Sequence, residues 1–251
     1  MGLLNDKIVL ITGAASGIGK SIAEKSLEEG AFIAVVDQFY DGLSSAKDSF
    51  NKYDTEKIIF LKADVSHPKE VEKTIQKTVD HFGKLDIIVN NAGIGGEINP
   101  TGEMSNKGFE KTIQINLLGV FYGSKYAIKQ FEKQKTGGVI LNMASILGAV
   151  GFRNSAAYVA AKHGVVGLTK TTALEYADKK IRVNAIGPAF INTPLLDALD
   201  EANKQQLVAL HPMGRLGEAM EVAELAVWLI SEKASFITGS YYPIDGGYLS
   251  Q

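Results

Sequence analysis

The chain has 251 residues and no cysteine, which excludes disulfides, thiolate metal sites, iron–sulfur clusters and cysteine nucleophiles and is compatible with a reducing compartment. It carries no excess of either charge: 26 Lys+Arg against 28 Asp+Glu give a formal net charge of −2. A protein that coats nucleic acid draws its affinity from basic side chains, so a nucleic-acid partner is not expected. Long apolar runs are also missing. The stretch AFIAVV at Ala31–Val36 falls far short of the roughly 20 residues a membrane helix needs. The opening MGLLNDKIVLITG lacks a basic region followed by an apolar stretch and a cleavage site. A myristoylation signal would want Ser or Thr where the chain has Asp6. The four histidines, His67, His81, His163 and His211, show no metal-ligand spacing, which disfavours a catalytic zinc. The expectation is a cytoplasmic protein without a membrane partner.

What is present is a repeating pattern. Short apolar runs at Lys7–Thr12, Ala31–Asp37, Lys57–Asp64, Leu85–Gly93, Gly138–Ser145 and Ile181–Gly187 are separated by stretches of helical length. Runs that are apolar on both faces suit buried parallel strands, and their alternation with helices predicts a sheet covered on both sides. With a last strand around Tyr241–Ile244, the fold class is α/β: a doubly wound Rossmann fold with about seven parallel strands. No Pro-rich linker or composition step divides the chain, so residues 1–251 read as one domain, with a substrate lid around residues 190–212.

Directly after the first strand comes TGAASGIG, in which Gly13, Ser16, Gly17, Ile18 and Gly19 open a helix. Glycines there permit a tight turn and close approach to a ligand, and the amides at a helix start favour a diphosphate. The second strand ends in Asp37, 18 residues past Gly19, where a carboxylate accepts hydrogen bonds from adenosine ribose hydroxyls. It would repel a ribose phosphate, and no Lys or Arg stands at Ala15, Ser16, Gln38 or Phe39 to receive one. NAD(H) is therefore favoured over NADP(H).

Farther along, Tyr158 and Lys162 are four apart in an expected helix and so share a face. A tyrosine hydroxyl is ordinarily too weak an acid to serve as a base at neutral pH, but a neighbouring ammonium favours the phenolate. Ser145 closes the fifth strand, at the carboxyl edge where open α/β sheets bind ligands.

In these motifs the chain resembles the short-chain dehydrogenase/reductase family, in its compact single-domain branch, over nearly its full length. The resemblance implies that Asp64 contacts adenine, with Val65 beside it, and that Asn91, Ala92 and Gly93 of the NNAG segment line the cofactor. It implies a catalytic set of Asn116, Ser145, Tyr158 and Lys162, in which Lys162 also binds the nicotinamide ribose and Asn116 holds a relay water. Pro188, Ile191 and Thr193 would meet the nicotinamide, although Gly187-Pro188-Ala189 departs from the family's usual Pro-Gly. Substrate would be lined by Ile94 and Glu97 after the fourth strand, by Ile146, Leu147, Val150 and Phe152 after the fifth, and by Phe190 and Leu195. That mostly apolar lining suits a hydrophobic ketone or secondary alcohol, with Glu97 and Arg153 as polar handles.

The helix Ser155–Ala177 is apolar nearly all round and so needs burial on more than one side. A symmetric homo-oligomer is expected, a tetramer as in many relatives. Some relatives hold Mg²⁺ at a subunit axis through terminal oxygens, which makes Gln251 a candidate metal ligand. The expected activity is NAD(H)-dependent interconversion of a ketone and a secondary alcohol. A 3-oxoacyl-[acyl-carrier-protein] reductase-like enzyme and an inactive dinucleotide-binding protein are the rival readings.

Overall fold

A computed structural model describes residues 2–196 and 200–251. Asp197, Ala198 and Leu199, which fall within the expected lid, lie outside the described residues.

Chain order runs β1 (Ile8–Thr12), α1 (Gly17–Glu28), β2 (Phe32–Asp37), α2 (Tyr40–Phe50), β3 (Ile58–Lys62), α3 (Pro68–Phe82) and β4 (Ile87–Asn90). It continues with α4 (Asn106–Ile113), α5 (Gly119–Gln134), β5 (Gly138–Met143), α6 (Ala156–Tyr176) and β6 (Ile181–Pro188). Last come β7 (Ile191–Asn192), α7 (Glu201–Ala209), β8 (Gly217–Glu218), α8 (Ala219–Ile230) and β9 (Tyr241–Ile244). Seven strands form one parallel sheet in the order β3-β2-β1-β4-β5-β6-β9.

The apolar runs form strands because both their faces are covered. Every residue of β1 is buried. Val9 and Ile11 pack toward Ile22 and Leu27 of α1 and Val222 and Val227 of α8. Leu10, on the opposite face, belongs with Val71 and Ile75 of α3 and Ile128 and Phe131 of α5. Helix ends follow local chemistry: α3 starts on Pro68 and stops at Gly83, whose φ of 87° few other residues adopt. Glu218 and Glu221 form a reciprocal capping box at the start of α8.

The strand order reverses at β1, since β2 lies on one side of it and β4 on the other. Open α/β sheets bind ligands at the carboxyl edge of such a switch point. Between β4 and β5 the chain forms α4, a π turn at Gln114–Leu118, and α5. Among the described residues no helix is long and apolar enough to cross a membrane.

Candidate active site

At the switch point the β1–α1 turn is tied to the loop after β4. Thr12 Oγ1 accepts from the amides of Asn91 (3.0 Å) and Ala92 (3.1 Å), while Asn91 Nδ2 donates to the carbonyls of Thr12 (2.9 Å) and Gly13 (3.1 Å). Gly19 must be glycine here, because a Cβ would lie 2.2 Å from Gly13 O and 2.4 Å from Asn91 Nδ2. Gly17, at φ 53°, faces Thr193, whose Cβ lies 3.4 Å from where a Gly17 Cβ would be. Thr193 thus packs close against the glycine turn. Ser16 makes no side-chain cap to α1, and Ile18 packs at the edge of the core behind it. This cradle, with uncapped helix amides and glycines where side chains would intrude, fits a diphosphate.

Asp37 ends β2 beside the glycine turn. Its carboxylate accepts from the amides of Ala15 (3.2 Å) and Phe39 (3.3 Å), which fixes it beside the turn. Asp64 Oδ1 accepts from the Ser66 amide at 2.9 Å, and His67 Nδ1 lies 3.5 Å from its other oxygen. Val65 is buried against Gly119, where a Cβ would come within 2.9 Å of Val65 Cγ2. Gly93 is exposed.

The catalytic candidates converge from β5 and α6. Lys162 and Tyr158 are one turn apart on α6, and Lys162 Nζ lies 5.4 Å from the centroid of the Tyr158 ring. Lys162 is 3% exposed, and its ammonium donates to the Met143 carbonyl at 2.7 Å, two residues before Ser145. Burial pulls this lysine down to about 8. The Tyr158 phenol is pushed up by burial and only partly drawn back by the nearby Ser145 side chain. Desolvation of a phenolate is the dominant influence on Tyr158 in the folded chain. Gly148 lets the turn after Ser145 sit against α6, since a Cβ there would lie 2.9 Å from the Lys162 carbonyl.

Asn116 is fully buried in the π turn, a distortion frequent at functional sites. Its side chain pairs with Ile94 in both directions: Oδ1 accepts from the Ile94 amide and Nδ2 donates to the Ile94 carbonyl, each at 2.8 Å.

Among the expected lining residues, Phe152 and Phe190 touch ring to ring at 5.8 Å. Ile146 and Leu147 are buried, Val150 is half-buried and Leu195 is exposed. Glu97 is not a free polar handle: its carboxylate accepts from Asn99 Nδ2 (2.7 Å), Ser105 N (3.0 Å) and Ser105 Oγ (2.6 Å). Those bonds hold it below the usual carboxylate range and commit it to the start of α4. Pro188 and Ile191 are buried beside this region, and Pro188 O is the 3.5 Å acceptor of Ser145 Oγ.

Sequence reasoning missed Tyr241. Its hydroxyl donates to the Ser145 carbonyl at 2.8 Å across β6, and Gly187 makes room for it, since a Cβ there would lie 2.2 Å from that hydroxyl. A buried polar chain was also missed: Asn90 Nδ2 donates to Ser124 Oγ (3.2 Å) and Asn142 Oδ1 (2.9 Å), and Asn142 Nδ2 donates to Thr169 Oγ1 (2.9 Å). It ties β4 and β5 to α5 and α6, beneath Ser145 and Lys162.

The family model described as enoyl-(acyl carrier protein) reductase matches residues 13–249. The chain belongs to the short-chain dehydrogenase/reductase family. This member is 44% identical over 247 residues to cyclohexanol dehydrogenase of Acinetobacter sp. (strain SE19), covering 98% of this chain and 96% of that one. The crystal structure of levodione reductase superposes with a TM-score of 0.94 at 38% identity, covering 98% and 99% of the two chains. ElxO with NADP bound gives 0.92 at 38% identity, covering 98% and 100%. The dehydrogenase/reductase family binds a nicotinamide dinucleotide, and the cradle between Gly13 and Thr193 has the donor set for one. The metal expectation finds less support. Among the described residues no group of three or more His, Asp or Glu gathers as a metal site, and Gln251 Nε2 donates to the Leu210 carbonyl at 2.9 Å.

Proposed function

We propose that the chain is an NAD(H)-dependent oxidoreductase that interconverts a cyclic secondary alcohol and its ketone. The observation that carries this reading is the convergence of Ser145, Tyr158 and the buried Lys162 at the carboxyl edge of β5, opposite a diphosphate cradle. The apolar lining and the 44% identity to a cyclohexanol dehydrogenase support a ring-shaped, uncharged substrate. Asp37 supports NAD(H), because a ribose phosphate would meet its charge.

Bound nicotinamide supplies or takes up the hydride. Ser145 Oγ and the Tyr158 hydroxyl together donate to the substrate oxygen and orient it. In reduction Tyr158, held protonated by burial, gives its proton to the developing alkoxide; in oxidation it receives the proton. Lys162 keeps a positive charge beside the phenol as that charge develops, and it also binds the nicotinamide ribose. Asn116 holds the loop through Ile94 in place and lines the proton path to Lys162.

A homotetramer completes the reading. Leu174 on α6 is 85% exposed and Phe121 on α5 is 40% exposed, which leaves apolar surface on these helices for a partner copy to cover.

The test is a panel of cyclic ketones and alcohols assayed with both dinucleotides, alongside Tyr158→Phe. Turnover of cyclic substrates with NAD(H), lost by ~10²- to 10⁴-fold in the variant while dinucleotide binding persists, is the expected result. Retained turnover in the variant removes Tyr158 as the acid/base. Tight dinucleotide binding without turnover of any carbonyl returns the chain to a binding role.

A further inference from the structure

We infer that Tyr248 is a positioning residue for the candidate active site: through it the C-terminal tail bolts Phe190, which follows the segment against Ser145, to residues 210–213 beyond α7. This rests on the cyclic-alcohol reading above for its kinetic test and adds to it a residue outside the catalytic set.

The sheet is complete at Ile244, which pairs with Pro188 of β6. Residues 245–251 follow, and their bonds go to segments beside the site. The Ala189 amide donates to the Ile244 carbonyl at 3.1 Å. The chain then turns back on Gly246 (φ 55°) and Gly247 (φ 90°), left-handed positions that glycine takes at little cost. The Asp245 carboxylate holds this turn, accepting from the amides of Gly247 (3.0 Å) and Leu249 (2.9 Å). The turned-back chain is fastened to residues 210–213. The Met213 amide donates to the Gly246 carbonyl at 3.1 Å, and Gln251 Nε2 donates to the Leu210 carbonyl at 2.9 Å. A Cβ on Gly247 would lie 3.1 Å from Pro212 Cγ, so tail and stem are in direct contact.

Tyr248 joins these contacts to the site. Its ring stands 6.2 Å from that of Phe190 and 5.9 Å from that of His211, and Phe190 and His211 are themselves 5.9 Å apart. Three segments distant in sequence thus close a triangle of rings, each pair at a separation where aromatic edges and faces attract. Phe190 lies two residues past Pro188, whose carbonyl is the 3.5 Å acceptor of Ser145 Oγ, and it touches Phe152 at 5.8 Å. His211 is 4% exposed and ties back to α7 through Nδ1, 2.8 Å from the Leu207 carbonyl. Removing the Tyr248 ring leaves a gap into which Phe190 and His211 can turn. Ser145, Tyr158 and Lys162 stand outside the triangle, so the loss falls on holding the substrate ring and not on proton transfer.

The experiment uses the full chain with Tyr248→Ala, Tyr248→Phe and Gln251→Ala. Two quantities are read: kcat and KM for cyclohexanol at saturating NAD, and the rate at which trypsin cuts after Lys204 in the protein without ligands, followed by mass spectrometry. Lys204 lies in α7, so cutting there reports how often that helix opens. In Tyr248→Ala we expect KM to rise, and the cut to quicken, by about fivefold each, the worth of an aromatic pair, with kcat within about twofold of wild type. Tyr248→Phe keeps the ring and should restore both to within about twofold. Gln251→Ala deletes one exposed bond without touching the rings and should quicken the cut at least about twofold; it decides the matter alone if Tyr248→Ala does not fold. A fall in kcat with KM unchanged overturns the inference, as does an unmoved rate of cutting or a Tyr248→Phe protein that behaves like Tyr248→Ala. A lower particle mass in Tyr248→Ala also overturns it, by making the tail a contact between subunits. If the wild type oxidises no cyclic alcohol, the substrate reading falls, and the rates of cutting still decide whether the tail holds residues 210–213 in place.

Discussion

Lys162 reaches past the Tyr158 ring to donate its ammonium to the Met143 carbonyl at 2.7 Å, so α6 is anchored to the last residue of β5, two positions before Ser145. Helix α6 and strand β5 are thereby locked in register beside Tyr158, the proposed acid/base. The lysine is charged and buried, which makes the lock costly to the fold and useful to the chemistry.

That cost has a pH signature. Burial lowers Lys162 to about 8 from an ordinary 10.5, so between those values the unfolded chain binds the proton and the folded one has released it. Stability from this group then rises as pH increases through that window and is lost as pH falls through about 8. Lys162→Met removes the dependence. Urea unfolding of the two proteins at pH 7.5 and pH 10 should show the wild type gaining up to about 3 kcal/mol relative to the variant over this range. Parallel curves would mean that the ammonium is solvated in the fold.

Asp37 is held by the Ala15 and Phe39 amides beside the glycine turn. Replacing it with Asn keeps an acceptor oxygen and removes the charge. The ratio of kcat/KM with NAD to kcat/KM with NADP should drop at least tenfold, about 1.4 kcal/mol. An unchanged ratio would place coenzyme choice elsewhere.

Tyr241 supports Ser145 from behind, hydroxyl to carbonyl at 2.8 Å. Burial, reinforced by Asp245, pushes its phenol up to about 12, so it remains a donor across the working range. Tyr241→Phe should cost about 1 kcal/mol of stability, the worth of one hydrogen bond. It should also lower kcat several-fold with KM little changed, as expected for a positioning residue. A variant that loses stability and keeps kcat would make the bond purely structural.

Asn116 satisfies both backbone atoms of Ile94. Asn116→Leu deletes both bonds at a buried site and should destabilise the protein by about 1–3 kcal/mol, measured by thermal unfolding, with kcat falling as well. Light scattering addresses the assembly directly: four chains of 27.0 kDa are expected in one particle.

The core of the fold was legible because burial on both faces writes itself into local composition. IVLIT at β1 and FIAVVD at β2 are apolar up to their last residues, Thr12 and Asp37, and no partner need be known to read them as interior strands. Tyr158 and Lys162 were legible because a helix fixes what four residues apart means. Pairings made by the tertiary fold leave no such trace. Tyr241 and Ser145 meet across 96 positions, and nothing near either residue announces the other. Glu97 looked like a substrate contact because its loop leaves a strand end, and only the folded chain shows its oxygens taken by Asn99 and Ser105. The π turn at Asn116 sits in sequence that is otherwise ordinary helix, and the β7–β8 ladder is two residues long, too short for any period.

That short ladder reaches beyond its size. Ile191 pairs with Gly217 and Asn192 with Glu218, which clamps the two stems of residues 193–216 together at their base. An excursion stapled at its neck bears the entropic burden of closure there, so its outer portion is free to be lengthened, trimmed or reshaped without unsettling β6 or α8.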